Sequence, residues 1–172
     1  MPTDTPVEYD HQVQIAARVG YCRYDSFGFT TGGAEVGVRV AGGLHVIGGA
    51  ELFVVKRVLS PEKQIETGLY SVWNQLLPLN LGAVYVFGDD KLLPYAGADL
   101  ITASYLQEDS KSYFAFGGRL RGGIDYMLAS HVGLNLNLAV GAWAGSKWDV
   151  VEEGTASFGL LPQVSAGVMF AF

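Results

Sequence analysis

Apolar residues in this chain recur at every second position, in one segment after another, and almost never at helical spacing. Successive side chains on a strand point to opposite faces, so such a chain must form a sheet with one greasy and one polar side. In "QVQIAARVGYC" Val13, Ile15, Ala17, Val19 and Tyr21 share one face, and Gln12, Gln14, Arg18 and Cys22 the other. "GAEVGVRVA" sets Val36, Val38 and Val40 against Glu35 and Arg39. "LHVIGGAELFVV" sets Leu44, Val46, Leu52 and Val54 against His45 and Glu51, with Ile47 and Phe53 breaking the pattern. A fourth segment carries Leu79, Leu81, Tyr85 and Phe87 on one side, and a fifth, "LPYAGADLITASY", alternates weakly. The sixth opposes Leu120, Ile124 and Tyr126 to Arg119, Arg121 and Asp125; the seventh opposes Leu134, Leu136, Leu138 and Val140 to Asn135 and Asn137. The eighth, "LLPQVSAGVMFAF", closes the chain on Phe172.

The connections alternate in length. "DSFGFTTG" and "QEDSKS" are medium, "KRVLSPEKQIETGLY" and "SKWDVVEEGTAS" are long, and between them fall the tight turns at Gly42–Gly43, "GDDK" and "LASH". The longer loops therefore collect at one end of the strands, and the short turns and both termini at the other. The expected fold is all-β, an eight-stranded antiparallel up-and-down transmembrane β-barrel over 12–172, preceded by a linker or tail over 1–11. No window approaches the roughly 18 uninterrupted apolar residues of a membrane helix. The start "MPTDTPVEYDH" carries neither a basic nor an apolar leader region, so a mature or truncated form of an exported protein is expected.

Alternation alone fits two barrels: a soluble ligand-binding barrel turns its apolar set inward, a membrane barrel turns it outward. The charges decide. Four acids (Glu35, Glu51, Asp99, Asp125) and four arginines (Arg18, Arg39, Arg119, Arg121) lie mid-strand on the polar faces, and the whole net charge of −6 falls elsewhere. Matched signs on a sparsely charged face are what a closed interior requires, because an unpaired buried charge is costly. Facing lipid, an Arg near the midplane costs about 2–4 kcal/mol. These eight residues are therefore expected to form an ion-pair network in the lumen, with Gly and Ala on the inward faces leaving room for the long side chains. Aromatics near the inferred strand ends, Tyr21, Trp73, Phe87, Tyr126 and Trp143, with Phe170 and Phe172, read as interfacial girdles.

On these features the chain resembles the small eight-stranded outer-membrane barrels of Gram-negative bacteria, the group of the OmpA transmembrane domain and OmpX. The terminal "SAGVMFAF" looks like that group's insertion signal, with Phe172 last and Phe170, Val168 and Ala166 at alternate positions before it. "PLNLGAVYVFGDDKLLPYAGA" is similar to a strand, tight turn and strand of such barrels. The resemblance implies a Gram-negative outer-membrane location, contact with membrane lipids and lipopolysaccharide, and assembly by the barrel-insertion machinery. It implies no single function.

Chemistry-bearing residues are sparse. Some barrels of this size modify lipids with His, Ser and an acid at the outer leaflet, but His11, His45 and His131 all fall at the short-turn end, and Ser130 beside His131 has no third member. Asp89–Asp90 reads as turn chemistry. Asp149, Glu152 and Glu153 form an acidic loop, more simply solvated than cation-binding. Cys22, the only cysteine, can form no intramolecular disulfide and reads as a packed strand residue. Gly pairs at 32–33, 42–43, 48–49, 117–118 and 122–123 match no phosphate loop, and a negative net charge argues against nucleic acid. No cofactor or metal is expected. The reading is a non-enzymatic structural, anchoring or partner-binding membrane protein with a charge-plugged lumen, with a periplasmic or envelope protein as a possible partner. A narrow pore for ions or small solutes and a soluble ligand-binding barrel are the alternatives.

Overall fold

A computed structural model describes residues 11–24, 27–88, 91–105, 114–145 and 158–172. Eight strands follow in chain order: β1 (Val13–Tyr24), β2 (Phe27–Ala41), β3 (Leu44–Val58), β4 (Ser71–Val86), β5 (Leu92–Tyr105), β6 (Phe114–Met127), β7 (Val132–Gly145) and β8 (Phe158–Ala171). Each pairs antiparallel with its neighbour, and β8 pairs with β1 to close the barrel. Closure removes every sheet edge, so the backbone groups of each strand find partners within the wall. Ile15 lies opposite Phe170 and Ala17 opposite Val168, so the terminal segment forms the seam with β1.

The two faces separate as the alternation requires. Val19, Leu81, Leu100, Leu120, Leu138 and Leu160 point outward and are more than half exposed, while Glu35, Asp99, Arg119, Arg121 and Asp125 are buried inside. An apolar exterior around a polar interior inverts the arrangement of a water-soluble barrel. In weakly patterned β5 the inward set contains Leu93, Tyr95, Asp99, Ile101 and Ala103. That strand loses its alternation because its lumen face is largely apolar too.

Three expectations need correction. Ile47 and Phe53 are not breaks in the β3 pattern: both keep the strand's parity and point into the lumen, buried. Phe27–Gly32, assigned above to a connection, is strand, with Cys22 opposite Phe29 and Val19 opposite Gly32. The first connection at the long-loop end therefore shrinks to residues 25–26, which lie outside the described residues, and the length alternation fails at that hairpin. The third concerns residues 56–70. Lys56, Arg57 and Val58 extend β3, and residues 61–67 form a helix, α1 (Pro61–Thr67). Ser60 caps it, its side chain accepting from the Lys63 backbone N–H. Pro61 supplies a preset first turn, and Gly68 ends it at φ 69° with its N–H on the Gln64 carbonyl.

Candidate functional site

The interior is a stack of three layers. At the long-loop end Cys22, Phe29, Phe53, Val55, Leu76, Ala103, Ala115, Trp143 and Leu161 pack into an apolar plug. A second plug at the short-turn end contains Ala16, Ile47, Val84, Val86, Leu93, Tyr95, Met127, Met169 and Ala171. Between them lies the charged layer.

Arg119 on β6 is its hub. The guanidinium grips Asp99 on β5 with two bonds, Nε to Oδ1 at 3.0 Å and Nη2 to Oδ2 at 3.0 Å. Nη1 donates across the lumen to Glu51 Oε1 at 2.8 Å and to Gln163 Oε1 at 2.6 Å, and Gln163 Nε2 returns to Glu51 Oε2 at 2.6 Å. Arg121 forks end-on to Glu35, Nη1 donating to Oε2 and Nη2 to Oε1, and Nη1 also reaches Asp99 at 3.2 Å. Arg18 extends the network with a 2.9 Å bond to Glu35, which also accepts from Asn80 at 3.1 Å. Three arginines thus meet three carboxylates through planar, charge-assisted bonds, the geometry in which Arg surpasses Lys. Gly141, opposite Arg119 in register, leaves the arginine room: a Cβ there would sit a tight 3.3 Å from the Arg119 Cβ and 3.1 Å from the Gly118 carbonyl.

The other two charges stand nearer the short turns. Asp125 accepts from Asn135 Nδ2, while Asn135 Oδ1 accepts from Arg18 Nε, so the amide relays between acid and cation. Arg39 lies at the short-turn mouth, where its Nε donates to the Gly42 carbonyl. The charge balance alone does not bring Asn80, Asn137, Ser165 or Gln163 into this layer, and Tyr95, on the inward face of β5 with Asp99, borders it. Tyr95 bonds Asn137 at 3.0 Å and accepts from Asn135 at 3.2 Å. Strand parity is the available signal, since each lies opposite in parity to the outward apolar residues of its own strand.

Two cavities remain inside the charged layer, one beside Arg18, Glu51 and Gln163 and one beside Gln14, Tyr95 and Asp125. Each has about 20 Å³, room for a single water.

Of the aromatics assigned to girdles, Tyr21, Trp73, Phe87, Tyr126, Phe170 and Phe172 are exposed on the outer surface. Trp143 is not among them: it is 1% exposed and sits in the long-loop-end plug, its ring 6.3 Å from Phe53. Leu134, Leu136, Leu138 and Val140 put even numbers outward on β7, so position 143 had to face inward. Nearness to the strand end was the weaker guide. Ala166, Val168, Phe170 and Phe172 line the outer face of the closing strand.

All three histidines lie at the short-turn end. His45 Nδ1 donates to the Gly43 carbonyl at 3.1 Å. His131 Nδ1 donates to the Ala171 carbonyl at 2.9 Å and its ring stacks on Phe172, with His11 5.2 Å away. Those bonds tie the last turn to the terminal strand. Asp89–Asp90 and the acidic set Asp149, Glu152 and Glu153 lie outside the described residues, as does most of the tail. Among the described residues no group of three metal-ligating side chains converges.

No family model matches the sequence, and neither does any curated protein sequence. The fold, in contrast, is shared with solved structures over nearly the whole chain. Neisserial surface protein A superimposes with a TM-score of 0.62 at 18% identity, over 93% of this chain and 96% of its own. The outer membrane protein OprG of Pseudomonas aeruginosa gives 0.62 at 14% identity, over 98% and 99%. The N-terminal β-barrel domain of Pseudomonas aeruginosa OprF gives 0.56 at 16% identity, over 95% and 100%. With eight antiparallel strands, an apolar exterior and a polar core, the chain has the fold of the small eight-stranded outer-membrane β-barrels.

Proposed function

We propose that this protein is an integral barrel of the Gram-negative outer membrane, closed to solutes, that acts as a structural or anchoring element rather than as an enzyme. The observation that carries the reading is the layered lumen. Each Arg of the central layer is held by carboxylates, and an apolar plug lies on either side. An ion entering this path would have to displace packed Phe, Leu and Trp side chains and then break charge-assisted bonds. Placement of the histidines favours the same reading, because His45 and His131 are engaged with backbone carbonyls at the short-turn end. In this account Phe172, Phe170, Val168 and Ala166 serve the insertion machinery, and Tyr21, Phe87 and Tyr126 hold the barrel at the lipid boundaries. Membrane lipids and lipopolysaccharide surround the apolar belt, and a periplasmic or envelope protein is the partner that an anchor would hold.

Planar-bilayer recording tests closure. The purified full chain should give no steady conductance, and Glu51→Ala, which opens the edge of the charged layer while leaving the plugs, should remain silent. Steady unitary currents from the unaltered chain would replace the anchor reading with the narrow pore.

A further inference from the structure

Helix α1 buries no side chain against the barrel, unlike a helix packed on a protein in water. Its half-buried residues are polar, Lys63 and Gln64, and Gln64 Nε2 donates to the Leu59 carbonyl at 2.6 Å. Its isoleucine, Ile65, is 86% exposed. Exposed apolar side chains continue on both flanks: Val58 at the end of β3, Leu69 and Tyr70 after the helix, and Trp73 on β4. The segment is firmly built, with both ends capped and Thr67 Oγ1 bonded to the Lys63 carbonyl at 2.6 Å. A well-formed element that presents its apolar side outward needs something apolar to cover it.

The height of the segment on the barrel says what that is. Outward residues of β3 run apolar from Leu44 through Val46, Ala50 and Leu52 to Val54, then change to Lys56. About ten residues at ~3.3 Å each, tilted by about 40°, rise roughly 25 Å, the height of a barrel's lipid belt. Lys56 therefore stands at the upper edge of the belt. Its ammonium lies 5.9 Å over the ring of Trp73, its partner across the β3–β4 ladder. A Trp beside a cation at that level is the pairing that suits the headgroup layer, where an indole is half-wetted and lipid phosphates are anionic.

We propose that α1 and its flanks form a lipid-docking surface: Ile65, Leu69 and Tyr70 lie in the headgroup–acyl boundary of the leaflet at the long-loop end, and Lys56 binds a lipid phosphate. The inference rests on the membrane-spanning reading above and extends it to a particular element. Interfacial segments bind membranes through buried apolar area and the attraction of cations to anionic lipid, which Ile65, Leu69, Tyr70 and Lys56 supply here.

The test uses the full chain folded in phosphatidylcholine vesicles containing phosphatidylglycerol. Ile65→Cys carries an environment-sensitive fluorophore, buried Cys22 being left in place, and Leu79→Cys on the belt carries the same label as a control. With phospholipid brominated in the upper acyl chain, both labels should be quenched. Lys56→Gln should cut the quenching at position 65 about twofold and leave position 79 unchanged. Quenching at 79 with none at 65 overturns the docking surface and leaves the spanning barrel intact. A blue-shifted but unquenched label at 65 whose emission follows the protein-to-lipid ratio also overturns it, in favour of contact with a second copy. No quenching at either position contradicts the spanning reading, and the inference falls with it.

Discussion

Arg119→Met should destabilise the folded barrel by about 3–5 kcal/mol, read as a lowered urea midpoint of the folded form in vesicles. The substitution keeps most of the side-chain volume but strips Asp99 of its bidentate partner and Glu51 of its cross-lumen one. Both carboxylates then remain in a lumen whose cavities have room only for single waters, and breaking a buried pair from one side costs far more than the pair contributes net. Adding Asp99→Asn to Arg119→Met should recover part of the loss, because an amide needs no counter-charge. Had the charged layer been washed by solvent, Arg119→Met would move the midpoint by less than about 1 kcal/mol, the value of an exposed pair.

Trp143→Ala should cost about 3–5 kcal/mol by the same measurement, from lost burial and the cavity left among Phe53, Leu76 and Leu161. Trp73→Ala, which removes an exposed indole from the outer surface, should cost markedly less. The contrast separates a lumen plug from an interfacial anchor, since two girdle residues would respond alike. Trp143→Ala is also the variant most able to loosen the long-loop-end plug, and it should leave the Arg119–Asp99 layer and the short-turn-end plug as the remaining barriers.

How far the fold was legible in the chain follows from the physics of strands. Period-two alternation survives in sequence wherever one face meets lipid and the other meets polar partners, so β1, the second half of β2, β6, β7 and β8 can be read directly. It fades where the lumen itself is apolar. Ile47, Phe53 and Trp143 belong to the plugs, and each reads as an interruption or a surface residue when the inward face is taken to be polar. The charged layer was visible as a balance of signs, but its hub was not. Which carboxylate Arg119 grips depends on the stagger between strands, and Gln163 joins Glu51 across residues 112 apart in sequence. Helix α1 did carry a local signal, Ser60-Pro61-Glu62 at its start and Gly68 at its end, inside a stretch read as loop. A seven-residue helix has too few turns to show a periodicity, so only the caps could have revealed it.

The most direct test of the account is the mobility of the full chain on a gel, unheated and boiled, after folding in detergent micelles and, in parallel, after dilution into plain buffer. A closed barrel with its apolar face outward should shift between unheated and boiled lanes only after micelle folding, and should aggregate in buffer. A compact, soluble species in buffer without detergent would contradict it, because Val19, Leu120 and Leu160 would then have to face inward.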